Sequence, residues 1–398
     1  MNKFHFSIIV LLIVSFCAYL FLYGCSTNPT GDGAPTSSAP LYITVLNDTS
    51  ALITWDAVVG ADEYILSYGR DINATNIGII HTSEVAYCLT GLTTSDTFYI
   101  KKKVVTAGVT GEYCSPVLFT TNYWNEVTSN MGGGRSDHSS VAFNNKIWII
   151  GGNDGSGNLN DVWYSSNGAS WSRATSAAGF SKRSSHASVV FDDYLWVIGG
   201  WDGSWKNDVW YSADGVNWYK ATNNAGFSAW AIAGATVFIG KIWVVDSAND
   251  VWSSSDGFIW AKATSEAGFG NRYFSASFSY DNKLWLIAGH KVNTTDDFND
   301  VWNSSDGLTW TQVTPEAVFS KRRSPGGVIL DNKMWIIGGS DNKDLYSSSD
   351  GVTWNLIKNP WEFSGRSAFS AVAFNNKIYI MGGSGGGSVV YNDVWRSR

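Results

Sequence analysis

The chain has 398 residues, 27 Lys and Arg against 34 Asp and Glu, and a formal net charge of −7. An acidic chain without basic runs excludes nucleic acid as a natural partner. Its 21 Trp, 18 Tyr and 20 Phe, with few charges and no helix-forming Glu, Leu and Lys pattern, describe an all-β protein.

Residues 6–23 are almost wholly apolar, preceded by Lys3 and followed by Gly24-Cys25. A short basic region, an apolar core and a small residue before a cut site describe a secretory signal. Leu22-Tyr23-Gly24-Cys25 resembles a bacterial lipobox, which implies a signal peptide over 1–24 and a lipidated Cys25 as mature N-terminus. Tyr23 departs from the small residue usual there. The alternative is an uncleaved anchor, since 18 apolar residues border on a bilayer's span. Either way the chain is exported and tethered to a membrane. Ser26 stands where many lipoproteins carry an inner-membrane Asp, which points to the outer membrane of a bacterial envelope. Removing 1–24 deletes Lys3 and no acid, so −7 becomes −8. Residues 25–40, rich in Ser, Thr, Pro and Gly, read as a flexible tether.

Residues 41–121 carry short alternating runs parted by turn residues, such as Ala51-Leu52-Ile53-Thr54-Trp55 and Tyr64-Ile65-Leu66-Ser67-Tyr68. That pattern predicts a β-sandwich. It resembles a fibronectin type III domain, with Trp55 at the core tryptophan. Gly91-Leu92 and Thr97-Phe98-Tyr99 stand near the family's tyrosine corner, with Phe98 in the tyrosine's place, so the corner hydroxyl bond is lost. The resemblance implies a spacer. Cys88 and Cys114 lie here and are either a disulfide or two separate thiols.

Residues 122–398 hold six copies of one unit. Asn-Asp-Val-Trp recurs at Asp161–Trp163, Asp208–Trp210, Asp250–Trp252, Asp300–Trp302 and Asp393–Trp395, with Asp344-Leu345-Tyr346 as the sixth. Spacings of 42 to 50 residues suit a propeller blade. Aligned on Lys146, Tyr194, Lys241, Lys283, Lys333 and Lys377, an aromatic follows two residues later: Trp148, Trp196, Trp243, Trp285, Trp335 and Tyr379. Eleven residues earlier stand Arg135, Arg183, Trp230, Arg272, Arg322 and Arg366. Asn-Lys or Asp-Asn-Lys marks a first hairpin turn, and Asp-Gly or Asn167-Gly168 a last one, because these residues tolerate positive φ. Each unit is a four-stranded meander whose faces need neighbours to bury them.

Gly151-Gly152, Gly199-Gly200, Ala288-Gly289, Gly338-Gly339 and Gly382-Gly383, with the aromatics after them, resemble the kelch motif in register over some 275 residues. The resemblance implies a six-bladed kelch-type β-propeller. The last copy stops after its third strand, and Tyr123–Thr128 matches the fourth strands near Trp171, Trp218, Trp260, Trp310 and Trp354. The N-terminal strand near Trp124 is therefore expected to complete the sixth blade and remove an exposed edge.

Landmarks that recur in every copy are expected to serve packing, so function is sought where copies differ. The loops after Gly-Gly and the starts of the first strands share one end of the disc. That end carries Arg135, Arg183, Arg272, Arg322 and Arg366, with Trp201, Trp205 and His290 in variable loops. The third copy departs twice, with Trp230 for arginine and Asp246-Ser247 for Gly-Gly. This is either drift or a pocket with Trp230 as a stacking surface and Asp246 as an acceptor. His138 and His186 occupy equivalent places and suit packing better than metal. Asn153-Asp154-Gly155 and Asp296-Asp297 are weak calcium candidates against solvated turns. No zinc spacing, phosphate loop or nucleophile elbow occurs, and no cofactor is expected.

These features imply a non-enzymatic, membrane-tethered binding protein for an extracytoplasmic glycan or protein. The alternative is a glycan-active enzyme, since kelch-type sialic acid mutarotases and sialidases hold a carboxylate with arginines.

Overall fold

The computed structural model describes residues 40–397 except 48–49, 75–76, 94–95, 122–123, 359–362 and 387–388. The apolar N-terminus, Cys25 and the tether lie outside the described residues. None of the described residues is helical. The chain divides into two compact units, Met1–Tyr123 and Trp124–Arg398.

The first unit contains two antiparallel sheets. One runs Leu41–Asn47, Ser50–Trp55, Ala86–Thr90. The other centres on Glu63–Gly69 and Thr97–Thr106, flanked by Gly78–Thr82, Val109–Thr110 and Val117–Thr120. Strand alternation sends Ile53, Trp55, Leu66, Phe98, Ile100 and Phe119 into one shared core. Trp55 meets Tyr64 edge-on at 5.3 Å, and Phe98 stacks on Phe119 at 5.5 Å. Cys88 and Cys114 are not joined to each other, so the disulfide is not formed. On Ala86–Thr90 the alternation buries Leu89 and turns Cys88 outward, while Cys114 sits in the core and its sulfur accepts the Lys102 amide at 3.2 Å. The two thiols therefore occupy opposite sides of a sheet.

Among the described residues the second unit contains six antiparallel meanders, each ordered first to fourth strand and called sheets one to six. Sheet one is Ser139–Phe143, Lys146–Asn153, Asn158–Ser165 and Ser172–Thr175. Sheet two is Ala187–Phe191, Tyr194–Trp201, Trp205–Ser212 and Tyr219–Thr222. Sheet three is Ile232–Phe238, Lys241–Asp246, Val251–Ser254 and Ala261–Thr264. Sheet four centres on Lys283–Lys291 and Asp297–Ser304, and sheet five on Lys333–Ile337 and Leu345–Ser348. In sheet six Val394–Ser397 pairs with Trp124–Thr128, with Trp395 opposite Glu126, so the first strand of this unit completes its last sheet. The first strand of each sheet abuts that of the next, and the sixth abuts the first, which makes a closed β-propeller.

Two turns recur, and each has a clear cause. The first hairpin places two residues at positive φ, as at Asn144 and Asn145 (47° and 55°) or Asp281 and Asn282 (48° and 54°). Asn and Asp tolerate this region, and its twist suits a two-residue hairpin. In the last hairpin the serine Oγ accepts the glycine amide, and the Asp carboxylate accepts two more. Ser254 and Asp256 show this, with bonds of 2.8 Å from Gly257 and 2.8 and 2.9 Å from Phe258 and Ile259. In four of these hairpins the last Trp then donates to the glycine carbonyl, Trp260 to Gly257 at 3.0 Å.

These glycines also join one sheet to the next. A Cβ on Gly215, Gly257, Gly307 or Gly351 would overlap the indole of Trp148, Trp196, Trp243 or Trp285 in the preceding sheet. Each of those indoles donates to a carbonyl five residues back, Trp243 to Phe238 at 2.9 Å. The recurring Trp and Gly are thus two halves of one inter-sheet contact.

Candidate binding site

The five recurring arginines are not presented to a ligand. All are 0–1% exposed. Each guanidinium forks onto the Asp of its own Asn-Asp-Val-Trp or equivalent segment: Arg135 to Asp161, Arg183 to Asp208, Arg272 to Asp300, Arg322 to Asp344 and Arg366 to Asp393. Arg183 is representative. It reaches both Asp208 oxygens at 2.7 and 3.0 Å, the Gly199 carbonyl at 2.8 Å and the Ser181 carbonyl at 3.2 Å. The planar fork ties three segments together: the loop entering the sheet, the end of the second strand and the third strand. Burial works to raise the Asp208 pKa, but Arg183, Trp210 and Lys220 hold it below the usual carboxylate range. The expectation of ligand-binding arginines is corrected accordingly, because each guanidinium is buried and bonded within its own sheet.

His290 is likewise occupied. Its Nδ1 lies 2.6 Å from Asp297, whose other oxygen accepts Ser340 Oγ at 2.9 Å, so the pair fastens the loop between them. Asp154 accepts the amides of Ser156 and Gly157 at 2.8 and 2.9 Å and closes a turn. Among the described residues no group of three or more His, Cys, Asp or Glu side chains is placed to hold a metal.

His138 and His186 pack between sheets. Nε2 of His186 lies 2.9 Å from Ser139 Oγ, and Nε2 of His138 lies 2.8 Å from Ser370 Oγ. Burial, then the charge of Arg183, lowers the His186 pKa to about 3; burial and Arg135 lower that of His138. Below pH 6.5 the unfolded chain takes up protons that these folded rings refuse, so stability is complete above 6.5 and is lost as pH falls toward 3. Thermal scans from pH 7.5 to 4.5 are expected to show a falling melting temperature, with a shallower fall for His186→Gln. An equal slope in that variant would remove the histidine from the account.

Sheet three, which lacks the arginine, is built differently. Asp246 is 1% exposed and its carboxylate accepts the amides of Ser228, Ala248 and Asp250 at 3.0, 3.0 and 3.1 Å and Trp252 Nε1 at 3.2 Å. It is thus a structural acceptor with no free lone pair aimed at a ligand, which corrects that part of the pocket expectation. Trp230 turns outward and is 46% exposed. It stacks on Trp205, with ring centres 6.2 Å apart and planes 24° from parallel. Trp205 in turn meets Trp201 at 5.2 Å, and Trp201 is 38% exposed. The three tryptophans picked from variable positions therefore form one surface cluster.

Trp205 continues into a cleft of about 700 Å³ lined by Ser181, Asp202, Lys206, Lys220 and Asn223 over the buried Arg183 and the part-buried Asp208. Where sheets four and six lay Phe298 and Tyr391 over their arginines, at 3.9 and 4.1 Å, sheet two carries Lys206, which turns away to Asp202 at 3.2 Å. The missing ring leaves room for the cleft. Sequence reasoning overlooked Lys206; its mismatch with Phe298 and Tyr391 at that position was the available signal.

A second cavity, about 260 Å³, runs down the axis between the first strands. Asp137, Ser185, Phe274, Ser324 and Ala368 all take positive φ at its mouth, from 49° to 57°. Amides there bond in succession around the axis, Ser185 to Asp137 and Asp137 to Ala368, both at 2.8 Å. Burial raises the Asp137 pKa, against the Ser136 and Ser185 hydroxyls.

Residues 123–398 match the DUF6242 beta propeller domain. The chain belongs to that family. This DUF6242 propeller is also similar in fold to the solved structure of YjhT, at 16% identity and a TM-score of 0.57, over 67% of this chain and 96% of that one. At that identity the likeness speaks for the DUF6242 fold alone. No curated protein matches the chain.

Proposed function

We propose that this chain is an exported, non-enzymatic binding protein that recognises a glycan through Trp201, Trp205 and Trp230. The observation that carries the reading is the exposed indole cluster itself. Large aromatics are usually buried, and three together at the surface mark a contact site. Flat indoles suit the apolar faces of sugar rings, and the polar cleft beside Trp205 offers amide, carboxylate and ammonium groups to hydroxyls. In this reading the six sheets are the blades of a kelch-type propeller, closed by the strand near Trp124. The preceding sandwich, of fibronectin type III kind, is a spacer, and Cys25 carries the lipid that tethers it to the bacterial outer membrane. The enzymatic alternative, a sialic acid mutarotase or sialidase-like hydrolase, rested on arginines free to hold a carboxylate. With those arginines paired, it keeps no specific support.

A glycan array probed with the chain from residue 41 onward tests the reading. Trp205→Ala is expected to weaken binding by roughly 1 kcal/mol, about fivefold, as the value of one aromatic contact. Trp230→Ala is expected to weaken it similarly while leaving the melting temperature nearly unchanged, because the ring is an exposed one. Turnover of a sugar by the protein, or indifference of binding to all three tryptophans, would sink the proposal.

A further inference from the structure

In five sheets one position does the same work. The arginine side chain reaches back to the carbonyl two residues before it: Gly133, Ser181, Gly270, Ser320 or Ser364. It also holds the end of the second strand and the third-strand Asp. In four of these sheets that Asp accepts the Nε1 of the following Trp, as Asp208 does from Trp210 at 2.8 Å.

Sheet three makes the same three ties with reversed polarity. Ser228, two residues before Trp230, now donates its amide to Asp246 at 3.0 Å instead of lending its carbonyl to an arginine. The freed Ser228 carbonyl accepts the Trp230 amide at 2.9 Å. Asp246 also fixes its own loop and caps Trp252 Nε1. Asp250, the counterpart of Asp208, keeps its place, 15% exposed against 13% for Asp208, and pairs with Lys262 at 2.5 Å in place of an arginine. An added carboxylate at the end of the second strand therefore makes the arginine dispensable, and side chain 230 is freed from the interior.

We propose that Asp246 is the positioning residue of the aromatic platform. It replaces the buried arginine–aspartate pair and, through Ser228, sets the segment that lays Trp230 against Trp205. Its ligand-binding consequence rests on the glycan reading above; its structural consequence does not. The polarity reversal also predicts that the standard repeat can be restored by exchanging Trp230 and Asp246 together, since Asp250 still stands where an arginine at 230 would find it.

The test uses the full chain. Asp246→Asn keeps one acceptor oxygen for the Ala248 and Asp250 amides but puts an NH2 where Ser228 and Trp252 donate, so it unties the Trp230 segment with the least damage elsewhere. The exciton-coupled circular dichroism of the stacked Trp205 and Trp230 indoles is expected to disappear in this variant, as in Trp230→Ala. Affinity for the glycans bound by the parent is expected to fall as far as in Trp230→Ala, although Trp230 is present. The double variant Trp230→Arg with Asp246→Gly is expected to melt near the parent and to lack the exciton signal. An unchanged exciton signal in Asp246→Asn overturns the positioning role, and a double variant that cannot fold overturns the exchange. If the parent binds no glycan, the functional reading fails, while the exciton signal still decides the role of Asp246.

Discussion

Arg272→Ala is expected to lower stability by about 3–5 kcal/mol, the range for breaking a buried ion pair from one side. The Arg272 guanidinium is fully buried and bonds both Asp300 oxygens, at 2.6 and 2.8 Å, the Ala288 carbonyl at 3.0 Å and the Phe269 carbonyl. Removing it leaves the Asp300 carboxylate, itself 5% exposed, with the Trp302 indole as its remaining hydrogen-bond donor among these contacts. Its carbonyl and carboxylate partners each lose a donor in a place water reaches poorly, and that desolvation dominates the loss. Lysine is no remedy, because a point charge cannot reproduce the fork. Urea unfolding measured beside Trp230→Ala checks the claim. If the arginines served a ligand, Arg272→Ala would unfold at the parent's denaturant concentration, and the packing role would have to be abandoned.

Gly307→Ala is expected to cost at least about 3 kcal/mol, summing left-handed backbone strain and overpacking of a core indole. Gly307 has φ +75°, and a Cβ there would overlap Trp243, which is 7% exposed and fastened to Phe238. Gly240 supplies the control. Its φ is +64°, but nothing lies within 4 Å of a Cβ built on it. Gly240→Ala should therefore cost only the backbone strain, roughly 1 kcal/mol. The difference between the two variants measures the inter-sheet contact alone, and equal losses would mean that the glycine is there for its turn and nothing else.

Much of the fold was legible because each recurring residue answers a local demand that sequence displays. Asn-Lys and Asp-Gly pairs announce hairpins, and the aromatic two residues after the turn announces a buried second strand. The match of Trp124–Thr128 to a fourth strand was readable for the same reason. Arginine was harder. Five guanidiniums at one rim read naturally as exposed charge, since nothing in a linear pattern shows that a residue 22 to 28 positions away on the third strand will be its partner. The signal lay in stoichiometry: every copy with an arginine also carries the Asp. The third copy, which keeps Asp250 without an arginine, looked like decay until Asp246 was seen to take over the bonds. The tryptophan cluster was partly legible, since each ring stands in a variable position, but its assembly needed the third sheet beside the second. Cys88 and Cys114 were undecidable from spacing, because pairing turns on Cys88 facing outward from its strand while Cys114 sits in the core.

The pairing of Val394–Ser397 with Trp124–Thr128 has a consequence for how the protein is made. A ribosome delivers the chain from its N-terminus, so Trp124–Thr128 emerges long before its partner exists. Five sheets can assemble in order behind it, each from neighbouring sequence. The ring has to wait for Val394–Ser397, with an unpaired strand edge at both open ends in the meantime. A chain stopped before Val394 would hold nearly all of this unit's hydrophobic core and have no strand to shut it.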